Sequence, residues 1–427
     1  MKDLAALALQ ALKDAGAEES QVVLSRTEKV EVSVAENKIT MMRTLFNTSG
    51  NLKVILDGKT ASQAVNGLTG ELLREAATEV TEMARGSQSD PANAVAELED
   101  GPTQYSAGPE SADREKILVR LEEFLATLAE KAPAIQLMES SLHFERRCDH
   151  WASSKGMTFE VKTAHYQTSF TFCAVEGERS SSMNGSGAVS YNLDTPLWDW
   201  GGLGDTILQN VEELKARPLG EKFTGDVVFA PGYVGELLQA YAGTFLSTTP
   251  LMTGASLLKD SLNKAVAHES VTVVSNPSDP ALCTYPLTSD GFRAKDMTVM
   301  ENGVLKSFVL GQYGALKTGQ ARSANEGDHL CLLPGDKSHE DIIKSIGKGL
   351  LVCRFSGGIP SDNGDFSGVA KNSFYIENGK IAFPVNETMI SGNLLELLKN
   401  VEGISSDTVS DGDTRQPWLH VGGVVIS

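Results

Sequence analysis

Residues able to hold a metal or attack a carbonyl are present in this chain, but few stand at a working spacing. There are seven histidines, and no HxH, HxxH or HExxH among them. His268-Glu269 begins like a zinc-peptidase helix, yet Val271, Thr272 and Val273 follow where the second histidine would stand. The five cysteines, Cys148, Cys173, Cys283, Cys331 and Cys353, form no CxxC and are odd in number. Dispersed cysteines in a large chain read as reduced packing residues of a cytosolic protein. Gly185-Ser186-Gly187 is only a truncated nucleophile elbow. Ser356-Gly357-Gly358 and Gly364-Asp365-Phe366-Ser367 lack the Lys-Ser/Thr pair and the following helix of a phosphate loop. A short set of cleft candidates remains: His329, Asp365 and His420. Asp365, with Asp362 and Asn363, offers oxygens to a hard cation, although a Gly/Asp-rich turn explains the same residues. His420 stands beside Trp418 and Leu419, where a packed or surface role is the simpler reading.

The stretch best shaped to position chemistry is Thr224 to Ser247. Asp226 to Ala230 is short, apolar and β-branched, and predicts a strand. Pro231-Gly232 then presets a first helical turn. Val234, Leu237, Leu238, Tyr241, Ala242, Phe245 and Leu246 follow at the spacing of one buried helix face. Gln239, Ala240, Gly243 and Thr244 lie off that stripe, free to face a site.

This strand, Pro-Gly turn and helix resemble the TldD/PmbA (TldD/TldE) family of metallopeptidases. In active members of that family the helix carries HExxxH. Here the three chemical positions of the motif hold Gln239, Ala240 and Thr244. Catalytic zinc needs imidazole or anionic ligands and a carboxylate to move the proton of its water. An amide, a methyl group and a hydroxyl supply neither. The resemblance also implies a metal-binding cysteine near the C-terminus, and Asp407 to His420 contains none. The pattern is that of the PmbA/TldE branch, the partner subunit. Positions five apart are roughly 140° apart on a regular helix, so sharing a metal requires local distortion, which Gly243 would make cheap.

Composition narrows the classes. The chain has 427 residues, 41% of them hydrophobic, enough for two or three cores. A net charge of -19 and the lack of any Lys/Arg run argue against a nucleic-acid partner. No segment is long and apolar enough for a membrane helix. Leu4 to Leu12 reads as an amphipathic first helix rather than a signal peptide, because Asp3, Gln10, Lys13 and Asp14 interrupt it.

The expected fold class is α+β: N-terminal α/β units with antiparallel strands, then a C-terminal mainly β domain, sandwich or barrel-like. Residues 1–86 read as helix, strands and helix. The strands are Gln21 to Arg26, Lys29 to Val34, Met41 to Asn47 and Leu52 to Leu56, with a turn at Thr48 to Asn51. By resemblance, paired helices start near Thr60. Residues 87–112 are Ser-, Pro- and Gly-rich and read as a linker. Residues 113–220 carry a helix from Arg114, capped by Asp113, then three strands and a second helix. Residues 221–427 hold the Gln239 helix, a short helix over 340–351, and hairpins at Asn302-Gly303 and Asn378-Gly379. Glu36-Asn37-Lys38 is a weaker hairpin signal. Ser356 to Asn393 carries the most specific part of the resemblance: a Gly-rich loop, Gly-Asp-Phe-Ser, Glu-Asn-Gly, Pro-Val and Ile-Ser-Gly-Asn-Leu in order.

The resemblance implies a cytoplasmic companion of a TldD-like zinc peptidase that processes small or unfolded peptides. The chain itself is then expected to be catalytically silent and to bind no cofactor or metal, the zinc belonging to its partner. Two other readings stay open. One is a self-sufficient homodimeric peptidase with a non-standard site built from His329, His420 and acidic residues of the Gly-rich loop. The other is a non-catalytic protein-binding module of the gyrase-modulator type, the family having been linked by name to that role.

Overall fold

The computed structural model describes residues 1–386 and 388–427. One tight turn organises the first half. Glu36 and Asn37 both take left-handed backbone angles, φ 50 and 59°. Around them Glu19–Ala35 and Lys38–Leu56 pair antiparallel along their whole length. Each is a single strand where the sequence predicts two. Thr48 to Asn51 is not a turn, since Thr48 pairs with Arg26 and Asn51 with Val23. The polar run mimics a turn, but close packing holds it in the sheet: a Cβ on Gly50 would lie 3.0 Å from Val65 Cγ2 and 3.1 Å from Leu24 Cδ2. Thr60 lies on a strand, Lys59–Asn66, and the next helix is Gly70–Gly86, capped by Thr69.

The units drawn at 1–86 and 113–220 share one sheet, because Glu19–Ala35 also pairs with Ser140–Ser153. That long strand serves two cores along one face. Val22 and Leu24 pack under the first two helices, and Val30, Val32 and Val34 under Arg114–Lys131. Asp113 caps that third helix, accepting from the Lys116 amide. Residues 87–112 are mostly irregular, yet they bury Ala92, Val95 and Ala96 and add a parallel strand, Gln104–Ala107.

Three histidines of this sheet contribute to its acid response. Burial, reinforced by Lys29, pushes His143 down to about 4 from 6.5. Burial also lowers His150 and His165. At these three histidines the unfolded chain therefore binds more protons than the folded one below pH 6.5, and their contribution to stability falls as pH drops from about 6.5 towards 4. The His143 share is roughly 1–3 kcal/mol. Denaturant midpoints at pH 7 and pH 5 should show the loss, and His143→Gln should reduce it; an unchanged pH slope in that variant would rule this source out.

The C-terminal half is mainly β, with a ten-stranded sheet and a second of four strands. Phe223–Phe229 lies near the middle of the large sheet, between Lys348–Val352 and Arg415–Ile426. Both Asn-Gly hairpins form, with φ 48 and 76° at Asn302-Gly303 and 50 and 75° at Asn378-Gly379. The predicted 340–351 helix is only His339–Ser345, and Leu350 belongs to the Lys348–Val352 strand beside Val227. Residue 387 of the Ser356 to Asn393 stretch lies outside the described residues.

The two halves meet through a buried polar tie. Asp149 is fully buried and accepts from Arg147 Nε at 2.9 and 2.7 Å and from the Tyr285 hydroxyl at 2.6 Å. Trp151 Nε1 donates to the same hydroxyl at 2.9 Å.

Candidate functional site

The helix Pro231–Tyr241 starts where the sequence places it and buries the expected stripe, from Val234 to Tyr241. It does not continue as a regular helix. Ala242–Leu246 forms a π-helical turn. Such a turn closes residue i on i+5, which draws positions five apart towards one face. Gln239 and Thr244 are spaced in that way, and the wide turn begins between them.

Backbone groups loosened by such a turn need other partners. Ser247 Oγ donates to the Gly243 carbonyl at 2.9 Å, and Ser256 Oγ to the Phe245 carbonyl at 2.6 Å. Phe245 itself is fully buried and anchors the turn in the core. The Gly-rich loop packs on it, since a Cβ on Gly364 would lie 2.7 Å from Phe245 Cζ.

Gln239 is exposed, and Ala240 and Thr244 are half-buried. The Gln239 amide nitrogen donates to the Gly327 carbonyl at 2.9 Å and the Asp328 carbonyl at 3.4 Å. The next residue, His329, places Nδ1 3.0 Å from the Asp413 carbonyl and 3.1 Å from its carboxylate. Burial opposes protonation of His329, but the Asp413 pairing outweighs it and raises the imidazole above its ordinary value. Asp365 is exposed, and its carboxyl is held low by Asn393 and Asn363, whose amides donate at 2.9 and 2.8 Å. Its oxygens are thus engaged in shaping the turn. His420 is buried on the opposite face of the sheet: its partner Val228 packs with Ile342, whereas Val227 and Phe229 face the helix.

His329, Asp365 and His420 therefore stand in three separate settings. Among the described residues, the only three His, Cys, Asp or Glu side chains close enough to share a cation are Asp226, Glu402 and His420. The sequence does not single out Asp226 and Glu402; the Gly422-Gly423 pair, which lies opposite Asp226, is the available signal of a bulge.

A cleft of about 460 Å³ opens at the start of the Pro231–Tyr241 helix, lined by Gly185, Gly232, Glu236, Arg354, Asp411 and Gln416 among others. Burial raises the Glu236 carboxyl. Cys353 also lines it, but burial pushes that thiol up to about 12, far from a thiolate nucleophile. No helix among the described residues is long and apolar enough to cross a membrane.

Residues 222–427 match the PmbA/TldA metallopeptidase C-terminal domain. That part of the chain belongs to the PmbA/TldD family. Metalloprotease PmbA of Escherichia coli O157:H7 is 27% identical over 98% of this chain and 94% of its own length. A metalloprotease of Methanothermobacter thermautotrophicus is 33% identical, but over only 43% of each chain. The fold is that of TldE from Thermococcus kodakarensis, with a TM-score of 0.83, 19% identity and 98% coverage of both chains.

A metallopeptidase family implies a metal, and the residues present at this helix do not fit one. The Gln239 amide nitrogen is turned to two backbone carbonyls, Ala240 has no donor atom, and Thr244 offers a neutral hydroxyl.

Proposed function

We propose that this chain is a TldE/PmbA-type companion subunit of a TldD-like zinc peptidase that processes small or unfolded peptides in the cytoplasm. The observation that carries this reading is the π-turn at Ala242–Leu246. A five-residue ligand spacing needs such a turn, and the turn is kept although Gln239, Ala240 and Thr244 cannot grip an ion. The near full-length likeness to a PmbA protein supports the same reading. In it, the chain closes the peptide chamber and its partner supplies the zinc.

Extended peptide can be held by strand addition. The end strand of the large sheet, Arg354–Gly357, has one free edge among the described residues, and Arg354 lines the 460 Å³ cleft. Co-expression with a TldD-like chain carrying an intact HExxxH tests the assignment. The expected result is a stable hetero-assembly by mass and peptide hydrolysis only by the pair. Two chains that never associate, or a chelator-sensitive peptidase made of this chain alone, would refute it.

A further inference from the structure

Two strand irregularities converge on the face of the large sheet away from the Pro231–Tyr241 helix. Gly422 and Gly423 together oppose the single residue Asp226, since Gly225 pairs with Val424 and Val227 with Val421. Gly423 takes φ 77°, the glycine-favoured geometry of such a bulge. One strand further on, Glu402 is the extra residue, since Val401 pairs with Val421 and Gly403 with His420. Bulges re-aim side chains, and these two bring Asp226 and Glu402 to the His420 imidazole. The candidate ligand atoms of all three lie within 4.8 Å of one another.

The imidazole is the independent sign of a ligand. The His420 side chain is 7% exposed, and its Nε2 is buried without a hydrogen-bond partner. A buried nitrogen in that condition is costly. The nearest acid, Asp226 Oδ1, stands 3.4 Å away, longer than a good N–H···O bond. Two ligands ~2.1 Å from a tetrahedral ion are themselves ~3.4 Å apart. The separation is thus that of two atoms sharing a cation. Space is reserved as well: a Cβ on Gly422 would lie 2.6 Å from Glu402 Oε1 and 3.7 Å from Asp226 Oδ1.

The geometry points to a divalent-cation site formed by His420, Asp226 and Glu402, with zinc the best-matched ion for one imidazole and two carboxylates. It ties Phe223–Phe229, Val401–Ser410 and Arg415–Ile426 together across the sheet. It departs from the expectation that this chain binds no metal, and it is independent of the companion reading, since the helix of Gln239 and Thr244 lies on the other face.

Chelator-treated, desalted full-length chain titrated with zinc chloride tests it. One equivalent per chain is expected, with an upward shift in melting temperature. Glu402→Gln, at an exposed position that leaves the fold intact, should weaken uptake at least tenfold. Gly422→Ala should weaken it by displacing the Glu402 carboxylate. Gln239→Ala should leave it unchanged. Absence of a zinc equivalent, equal affinity in Glu402→Gln, or loss of uptake in Gln239→Ala would each overturn the assignment. The companion reading is judged separately, by hetero-assembly and hydrolysis.

Discussion

Replacing Gln239→His, Ala240→Glu and Thr244→His together should create a zinc site on a helix that lacks one. The scaffold carries the expectation. On a regular helix the two imidazoles would diverge by roughly 140° and could not share an ion. The π-turn at Ala242–Leu246, which begins between the two positions, reduces that divergence. The backbone carbonyls of Gly243 and Phe245 already have hydroxyl donors, so the turn does not depend on the side chains being replaced. Two imidazoles and a nearby carboxylate are fewer than the four ligands of a structural site, worth ~10–16 kcal/mol, so an affinity on the order of micromolar is expected. The titration belongs in a Glu402→Gln background, so that the opposite face contributes little. An added zinc equivalent relative to that background supports a retained metal scaffold. No added uptake by a folded variant would mean that the turn has nothing to do with ligand spacing.

Arg147→Ala should be the costliest single change at the junction of the two halves, at about 3 kcal/mol. Asp149 is fully buried, and among the described residues Arg147 is its only cationic partner at hydrogen-bond distance. Removing the cation leaves a buried carboxylate with the Tyr285 hydroxyl alone. Asp149→Asn should be milder, because an amide oxygen still accepts from Tyr285 and half-exposed Arg147 can turn to solvent. Denaturant unfolding of both variants decides the matter. An Arg147→Ala loss no larger than that of Asp149→Asn would show that the tie does not stabilise the junction.

Local chemistry made some of this structure readable from the residues alone. Asn-Gly turns accept positive φ at both positions, so the hairpins at Asn302 and Asn378 could be placed closely. The apolar stripe from Val234 to Leu246 located the buried helix face and left Gln239 outside it. What escaped was decided by tertiary pairing. Thr48 to Asn51 carries turn residues but is held straight by neighbours on both sides, Glu19–Ala35 and Lys59–Asn66. Leu350 fits a helical spacing, yet it pairs beside Val227 in the central sheet. Asp226, Glu402 and His420 are far apart in sequence, and only strand order and two bulges bring them together.

In the proposed companion role, the helix keeps its π-turn while Gln239, Ala240 and Thr244 offer no zinc ligands. Hydrolysis of an unstructured peptide by the purified chain, alone and mixed with a TldD-like zinc subunit, measures this most directly. The expected result is no chelator-sensitive cleavage by the chain alone, at any zinc concentration, and cleavage once the partner is added. Zinc-dependent cleavage by the chain alone, lost in Gln239→Ala or Thr244→Ala, would contradict it.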